Sequence, residues 1–259
     1  MNFKKYIFAI TMCIAGFMNA WSLNIVEQAD SAYNETAYSQ ALRLYEATLD
    51  SIGASSDLYY NIGNTHYRLG DLGRSVLWYE RALQLDPTNG DARANLEFVN
   101  TRITDKPVDN RSIITRVFDK IANSRSANSW SWLTFAFFVI SVVAGVGYLV
   151  TNTVAIRKGF FFGGGITIIL TILSLIVTLT AANRAASHEN AIIVSPSAQL
   201  STAPREATDA STQAFLLHEG TKVAIVDSVI PADASQPRWY EVKIGNSRAW
   251  INGKDLERI

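Results

Sequence analysis

Ser56–Asn89 reads SDLYYNIGNTHYRLGDLGRSVLWYERALQLDPTN, and this stretch decides the fold of the N-terminal part of the chain. Its apolar residues recur at helical spacing in two blocks, which predicts two helices. Gly70-Asp71 breaks the first block. Asp86-Pro87 ends the second, because proline disfavours helical geometry in the residue before it. Gly63 is small where the paired helices must approach closely. The stretch therefore predicts a helix–turn–helix unit that cannot bury its apolar face alone.

This pattern of small, aromatic and turn residues resembles one tetratricopeptide repeat (TPR), a unit of about 34 residues. The upstream window Ser22–Ser55 keeps the second-helix positions but has Glu35-Thr36 in place of the Gly-Asp turn. The downstream window keeps Asn95 and fades after about Ile103, as a capping helix does. We expect a TPR domain over residues 22–104, with roughly two repeats and a cap. About three repeats are usually needed for stability, so a partner, an oligomer or the membrane would complete the stack.

The resemblance to TPR units also provides candidate binding residues, because first helices line the concave groove in that family. Asparagine can hydrogen-bond a peptide backbone, and arginine can pair with a carboxylate. Carboxylate-clamp TPR domains have asparagines at the positions of Asn61, Asn64 and Asn95, but their lysines are not all matched here. The alternative is that these asparagines bridge neighbouring repeats. The candidates are Tyr60, Asn61, Asn64, Tyr67, Arg68 and Asn95.

Composition argues against several classes of function. The chain has 259 residues and zero formal net charge, without a basic stripe that would suit nucleic acid. Cys13 is the only cysteine, so an intramolecular disulfide is excluded. His66, His188 and His218 are scattered without metal-ligand spacing, and no nucleophile-elbow motif is present. We expect a non-enzymatic protein with no cofactor and no metal.

Three apolar segments predict export and membrane insertion. Met1–Ala20 has the charged start, apolar run and small-residue end of a secretory signal. Trp130–Thr151 and Phe160–Ala182 contain no charged residue. Each has about 22 residues, which at about 1.5 Å per residue spans a hydrocarbon core. They predict two transmembrane helices.

The flanking charges predict the topology. The loop at residues 152–159 carries Arg157 and Lys158, and the positive-inside rule places such a loop in the cytoplasm. The spans then form a hairpin with both flanking domains outside, in agreement with the secretory signal. The basic stretch Arg111–Arg125 argues against this, because it flanks the first span on the predicted outer side. The loop charges lie closer to the spans, so we expect the hairpin topology.

Residues 105–129 form a predicted linker with an amphipathic basic helix. Ile113, Ile114, Val117, Phe118 and Ile121 recur at helical spacing, and the other face is basic. The helix could lie flat on the outer leaflet. It could equally pack its apolar stripe on the TPR stack.

The C-terminal residues 190–259 change to short β-prone runs separated by turn-rich stretches. The pattern His218–Val223, Trp239–Val242 and Ala249–Ile251 resembles bacterial SH3-like domains, although Ala249 replaces the commoner glycine. That resemblance implies a small all-β barrel. Trp239, Tyr240 and Trp250 are then core residues or a ligand platform. The predicted strands are Ala191–Val194, Gln213–Leu217, Lys222–Val226, Trp239–Ile244 and Ala249–Ile251.

The order of signal, TPR, membrane hairpin and SH3-like domain resembles the BatE family, the TPR members of the Bacteroides aerotolerance (Bat) group. The resemblance implies an inner-membrane protein made alongside von Willebrand factor A-domain membrane proteins and a MoxR-type ATPase. It also implies a role in oxygen or stress tolerance. The motifs that carry it are Tyr59–Asn64, Tyr79–Leu83, Asp91–Phe98 and His218–Val223.

We therefore expect a multidomain membrane scaffold. Its TPR groove and SH3-like domain would face the periplasm and hold partner proteins at the inner membrane. Other membrane proteins are the expected partners, and nucleic acid is not one. The alternative is an envelope sensor whose SH3-like domain binds peptidoglycan while the TPR relays its state.

Overall fold

The computed structural model describes residues 25–106, 112–186, 189–230 and 237–259. The predicted signal at Met1–Ala20 lies outside these ranges. The described residues form two compact units, one of helical repeats with a β-sheet and one of three later helices. The helices are α1 (residues 25–34), α2 (Tyr38–Ile52), α3 (Ser56–Leu69), α4 (Leu72–Leu85), α5 (Gly90–Asn100), α6 (Ile113–Ala122), α7 (Ala127–Val150) and α8 (Val154–Ala186). The strands are β1 (Asn190–Ile193), β2 (Ser197–Ser201), β3 (Gln213–His218), β4 (Lys222–Val229), β5 (Trp239–Ile244), β6 (Ser247–Asn252) and β7 (Leu256–Arg258).

The complete repeat folds as α3 and α4, which confirms the predicted helix–turn–helix unit. Ser55 caps α3, because its side chain accepts a hydrogen bond from the Leu58 amide. Gly70 ends α3 in the left-handed conformation at φ 84°. Asn89 caps α5 through the Ala92 amide at 2.9 Å. Local sequence signals therefore set the bounds of these helices.

The turn of the upstream repeat has the same positive-φ backbone as the turn of the complete repeat, but with threonine in place of glycine. Thr36 lies between α1 and α2 at φ 63°, where the complete repeat has Gly70 at φ 84°. Positive φ is uncommon for a β-branched residue and strains the backbone. The upstream turn therefore keeps the backbone shape of the complete repeat's turn, although its sequence differs from Gly-Asp.

The repeats pack through small and aromatic residues. A Cβ atom added at Gly63 would lie 2.8 Å from the Tyr79 ring, so the predicted close approach of α3 and α4 is confirmed. Between the two repeats lies a buried cluster of Ala29, Ala32, Ala41, Tyr45, Leu58, Ile62 and Trp78. This cluster stacks the upstream repeat on α3.

The C-terminal strands form one open antiparallel sheet. The SH3-like barrel expected from the sequence is not confirmed. The strand order is β3-β2-β6-β5-β4-β1-β7, and among the described residues β3 and β7 are its edges, so the sheet is open. Five strands match the predicted runs to within a few residues. The sequence analysis missed β2, whose SAQLS sequence is polar and small, and β7, which has only three residues.

The sheet belongs to the same compact unit as the repeats. Its first strand is buried on both sides, because Ile192 joins the cluster that contains Leu77 and Tyr79 of α4, while Ile193 joins the core of the sheet itself. The chain's own sheet therefore covers α4. The sequence analysis had left the covering of the stack to a partner, an oligomer or the membrane.

The second unit is a helical hairpin of α7 and α8. Among the residues that the structure describes, these two helices are long and apolar enough to cross a membrane, judged by length and composition alone. Hydroxyl groups join them, with Thr134 3.0 Å from Thr178 and Ser141 3.0 Å from Thr167. Hydroxyl pairs of this kind can join helices in lipid, where the hydrophobic effect between helices is weak. The predicted loop at residues 152–159 is shorter than expected, since α8 begins at Val154.

Candidate protein-binding face of the helical repeats

The six candidate residues lie on α3 and α5, and α1 lies next to them. The Arg68 side chain of α3 donates to the Tyr33 hydroxyl of α1 over 3.4 Å. The Asn95 amide of α5 donates to the Asn64 carbonyl oxygen of α3 over 2.8 Å. The first helices of successive repeats therefore form one continuous face, which we call the first-helix face.

Asn64 and Asn95 are part of a hydrogen-bonded network within the repeats. The Tyr79 hydroxyl of α4 donates to the Asn64 carbonyl oxygen over 2.5 Å, and that oxygen also accepts from Asn95. Burial raises the pKa of Tyr79 to about 12, so the phenol remains a donor at neutral pH. These two asparagines thus bridge neighbouring helices, which is one of the two roles that the sequence left open. Their remaining amide groups can still take part in binding.

Asn61 and Arg68 keep capacity to bind a partner. The half-buried Asn61 side chain has no hydrogen-bond partner within the described part of the chain. Arg68 is exposed, and its guanidinium lies 5.8 Å from the centre of the Tyr38 ring. Its hydrogen bond to Tyr33 raises the pKa of Arg68, so it stays cationic. An amide and a fixed cation on one helix can bind a peptide backbone and a carboxylate.

Aromatic rings extend this face at α5. Tyr67 contacts Phe98 edge to face, with 5.8 Å between ring centres. Arg102 lies over the Phe98 ring at 4.5 Å, and Phe98 remains 48% exposed. An exposed large aromatic beside a cation is a common anchor in protein interfaces. The sequence analysis missed Phe98 and Arg102. Phe98 could have been found from its position three residues after Asn95, which places both residues on the same face of the capping helix.

Tyr60 completes the first-helix face next to the asparagine network. Its ring lies 6.1 Å from that of Tyr79, and its hydroxyl is 3.5 Å from the Asn95 amide nitrogen. The first-helix face therefore presents tyrosine, amide and arginine groups, which suit a peptide chain.

The second helix of the complete repeat, α4, is covered by the sheet. A Cβ atom added at Gly73 would lie 3.0 Å from the Ile193 carbonyl oxygen, so the backbones are in close contact. The Gly73 amide donates to the Glu219 carboxylate over 3.1 Å. Ion pairs surround this contact, from Arg74 to Glu257 at 3.0 Å and from Lys222 to Glu80 at 2.7 Å. No partner protein can reach this part of α4 while the sheet is in place.

Asp105 fixes the segment after α5 to the sheet. One of its carboxylate oxygens accepts from the His218 amide over 2.7 Å and from the Thr221 hydroxyl over 2.8 Å. Its other oxygen lies 3.3 Å from the His218 ring. Burial acts to raise the pKa of Asp105, but these hydrogen bonds outweigh it and hold the pKa below its ordinary value. This cluster is therefore a structural clasp, and neighbouring Gly220 packs on Ile103 at positive φ.

The remaining sequence candidates lie in structural surroundings. Trp239 is buried, whereas Tyr240 and Trp250 are half-buried. His66 is buried beside Asp71, with 3.4 Å between the ring and the carboxylate. Within the described ranges no cluster of His, Cys, Asp and Glu could hold a metal ion. His188 lies outside those ranges.

Comparisons with known proteins identify the helical region. Residues 56–89 match the tetratricopeptide repeat family, which confirms the repeat predicted for that stretch. A segment of 82 residues is 30% identical to "Protein CTR9 homolog" of Arabidopsis thaliana. That alignment covers 31% of this chain and 8% of the plant protein. The likeness therefore concerns a short part of that relative, and it indicates protein–protein interaction as the general role of the repeats.

Proposed function

We propose that this protein is a non-enzymatic membrane scaffold that binds a partner protein on its first-helix face. Tetratricopeptide repeats are interaction modules whose stacked helices present an extended surface. Two long apolar helices provide the means of membrane attachment. The chemistry available on the face is that of binding, because amides, tyrosines and arginines dominate it.

One observation carries this proposal most directly. The first-helix face presents Asn61 without a hydrogen-bond partner in the described part of the chain, and Arg68 is exposed two turns further along the same side of α3. The second helix of the same repeat is covered by the chain's own sheet. The surface available to a partner is thus the one with unused hydrogen-bonding capacity. An extended segment with a carboxylate would fit both groups.

Site-specific crosslinking in native membranes tests this proposal. A photoreactive amino acid is placed at Tyr60 or at Arg68 of the full-length chain. A third variant carries it at Glu46, which is exposed on α2 away from the first-helix face. We expect the same protein to be captured from Tyr60 and Arg68 but not from Glu46. Equal capture from all three positions, or from Glu46 alone, contradicts the proposal.

We also propose that the repeats and the sheet face the periplasm of a bacterial inner membrane. The secretory pattern at Met1–Ala20 supports this, as do Arg157 and Lys158 next to the turn between α7 and α8. A reporter that is active only outside the cytoplasm is fused after Asn100. It should be active, and a silent fusion that is produced at normal level contradicts the topology.

The resemblance to the BatE family supports a finer proposal about the partners. Other Bat proteins, above all those with von Willebrand factor A domains, are the proposed ligands, and oxygen or stress tolerance is the proposed process. Mass spectrometry of the species captured from Tyr60 tests this directly. Recovery of an unrelated protein would leave the scaffold role intact and reject the Bat assignment.

The second candidate function is an envelope sensor in which an SH3-like C-terminal domain binds peptidoglycan. Half-buried Tyr240 and Trp250 supply aromatic surface for a glycan or peptide. Because the sheet shares a hydrophobic core with α4, the full-length chain in detergent is the suitable sample. Saturable binding to purified wall that is lost in Trp250→Ala favours the sensor. Absence of binding to wall favours the scaffold.

A further inference from the structure

Helix α6 leaves a continuous apolar stripe exposed. Ile113 is 71% exposed, Ile114 82%, Val117 54% and Ile121 47%. At 100° per residue these four side chains fall within about 100° of arc, as in a helix that buries one side. Four large apolar side chains on ten residues are too many for a surface that only meets water.

The other side of α6 is attached to the end of the helical hairpin. Asp119 pairs with Arg184 in the last turn of α8 at 2.8 Å, and Asn123 also accepts a hydrogen bond from Arg184. The Trp130 indole of α7 donates to the Ala122 carbonyl over 3.2 Å. In a continuous helix residues eight apart are separated by about 12 Å, so this contact requires the chain to fold back between α6 and α7. The apolar stripe lies on the side of α6 away from Asp119.

The attachment places α6 at the level where the apolar spans begin and end. Trp130 lies in the first turn of α7, and Arg184 near the end of α8. Tryptophan and arginine at the ends of spans mark the boundary between hydrocarbon and headgroups. A helix fixed at that boundary has headgroups within reach, and its apolar stripe faces away from the protein groups that hold it.

The charges on α6 complement an anionic lipid surface. By helical spacing Lys120 lies at the border of the apolar stripe and Arg116 about 60° beyond it, and long basic side chains at such positions reach the headgroups while their stems stay apolar. The one acidic side chain of the helix, Asp119, is paired with Arg184 and so adds no free negative charge to this surface.

We propose that α6 is an interfacial helix that inserts its Ile113, Ile114, Val117 and Ile121 stripe into the lipid headgroup boundary beside the hairpin, with Arg116 and Lys120 contacting anionic lipid. The sequence had left this open against packing on the repeats. The lipid contact is independent of the partner that the first-helix face binds. It would hold the segment between the repeats and the spans flat against the membrane.

Lipid quenching of a fluorophore on single cysteines tests the proposal. Cys13→Ser removes the native thiol, and a polarity-sensitive dye is attached to Val117→Cys in the full-length chain. The matched control is Thr115→Cys, which is exposed two residues away on the opposite side of the helix. Samples are reconstituted in nanodiscs of phosphatidylethanolamine and phosphatidylglycerol that contain lipids spin-labelled near the headgroup.

We expect blue-shifted emission at Val117 and lipid quenching about threefold stronger there than at Thr115. Quenching at Val117 should fall in phosphatidylcholine nanodiscs, where anionic lipid is absent. Two results would overturn the proposal. One is equal lipid quenching at both positions. The other is a blue-shifted Val117 that neither lipid-borne nor aqueous quenchers reach, since that would place the stripe against protein.

Discussion

The two helices of the complete repeat, α3 and α4, have the same length but different surroundings. Each has 14 residues, yet seven are buried in α4 and five in α3. Part of this burial comes from the sheet, because Gly73 lies against Ile193 and because Ile192 and Ile259 share a hydrophobic cluster with Leu77 and Tyr79 that also contains residues of α5. Helix α3 instead keeps Asn61 and Arg68 available. Helix α4 therefore packs in the core of its unit, whereas α3 keeps polar groups exposed for binding.

The largest expected effect is a cavity in the shared core of α4. Leu77 has no exposed surface, so Leu77→Ala should lower the free energy of unfolding of this unit by about 2–5 kcal/mol. Amide hydrogen exchange of α4 in the full-length chain, followed by mass spectrometry, measures this loss. Leu69→Ala at the exposed end of α3 is the control and should cost far less. Similar losses in both variants would contradict a tightly packed core around Leu77, which the sheet and α5 build together.

A smaller effect is expected where α4 and the first-helix face meet. Tyr79→Phe removes one of the two donors to the Asn64 carbonyl oxygen and should cost about 1 kcal/mol, because the half-buried oxygen keeps only its hydrogen bond from Asn95. Tyr59→Phe is the matched control, since the Tyr59 ring also packs in the repeats but its hydroxyl donates no hydrogen bond within the described residues. The same exchange measurement applies. An equal cost for both variants would contradict the bridging role of the network.

Asp105 links the repeats to the sheet in a pH-dependent way. Its pKa is lower in the folded chain, so its contribution is present above the unfolded value of about 3.9 and is lost as pH falls through the folded value. Asp105→Asn should cost about 1–2 kcal/mol at neutral pH, because the hydrogen bonds from His218 and Thr221 then end on a neutral amide oxygen instead of a charged carboxylate. Unfolding measured from about pH 6 to pH 2 should show a shallower acid loss in this variant. Asp50→Asn on the exposed surface of α2 should leave the acid profile unchanged, and an unchanged profile for Asp105→Asn would reject the clasp.

The smallest stability effect concerns the ion pair of Lys222 and Glu80. Lys222 is 42% exposed, so Lys222→Ala should cost no more than about 1 kcal/mol, and added salt should reduce that cost. A double-mutant cycle with Glu80→Ala isolates the pair energy. A coupling well above this range would mean that charge rather than the apolar core holds the sheet on α4.

Local signals in the sequence predicted much of the helical region. Ser55, Gly70 and Asn89 set helix ends through capping and turn chemistry, which depends on near neighbours alone. Membrane-span length and composition likewise predicted α7 and α8 as candidate spans. The asparagines at positions 61, 64 and 95 were found by resemblance, but their division into bridging and unused groups depends on tertiary contacts.

The docking of the sheet on α4 and the open sheet could not be predicted from local signals. The contacts join residues far apart in the chain, such as Gly73 with Ile193 and Lys222 with Glu80. A hint was present in the sequence of α4, where the consecutive apolar residues Val76–Tyr79 lie on more than one side of the helix. Strand β2 was missed because SAQLS lacks the β-branched and aromatic residues that typify strands.

The most direct test of the proposed binding face measures partner binding and stability in the same double variant. Asn61→Ala combined with Arg68→Ala removes the Asn61 amide and the exposed Arg68 guanidinium, whose contact with Tyr33 is long and exposed, and should change the free energy of unfolding by less than about 1 kcal/mol. In the same variant, capture of the partner by a photoreactive residue at Tyr60 should be lost. Undiminished capture from Tyr60 by a folded double variant would contradict the claim that this face binds the partner.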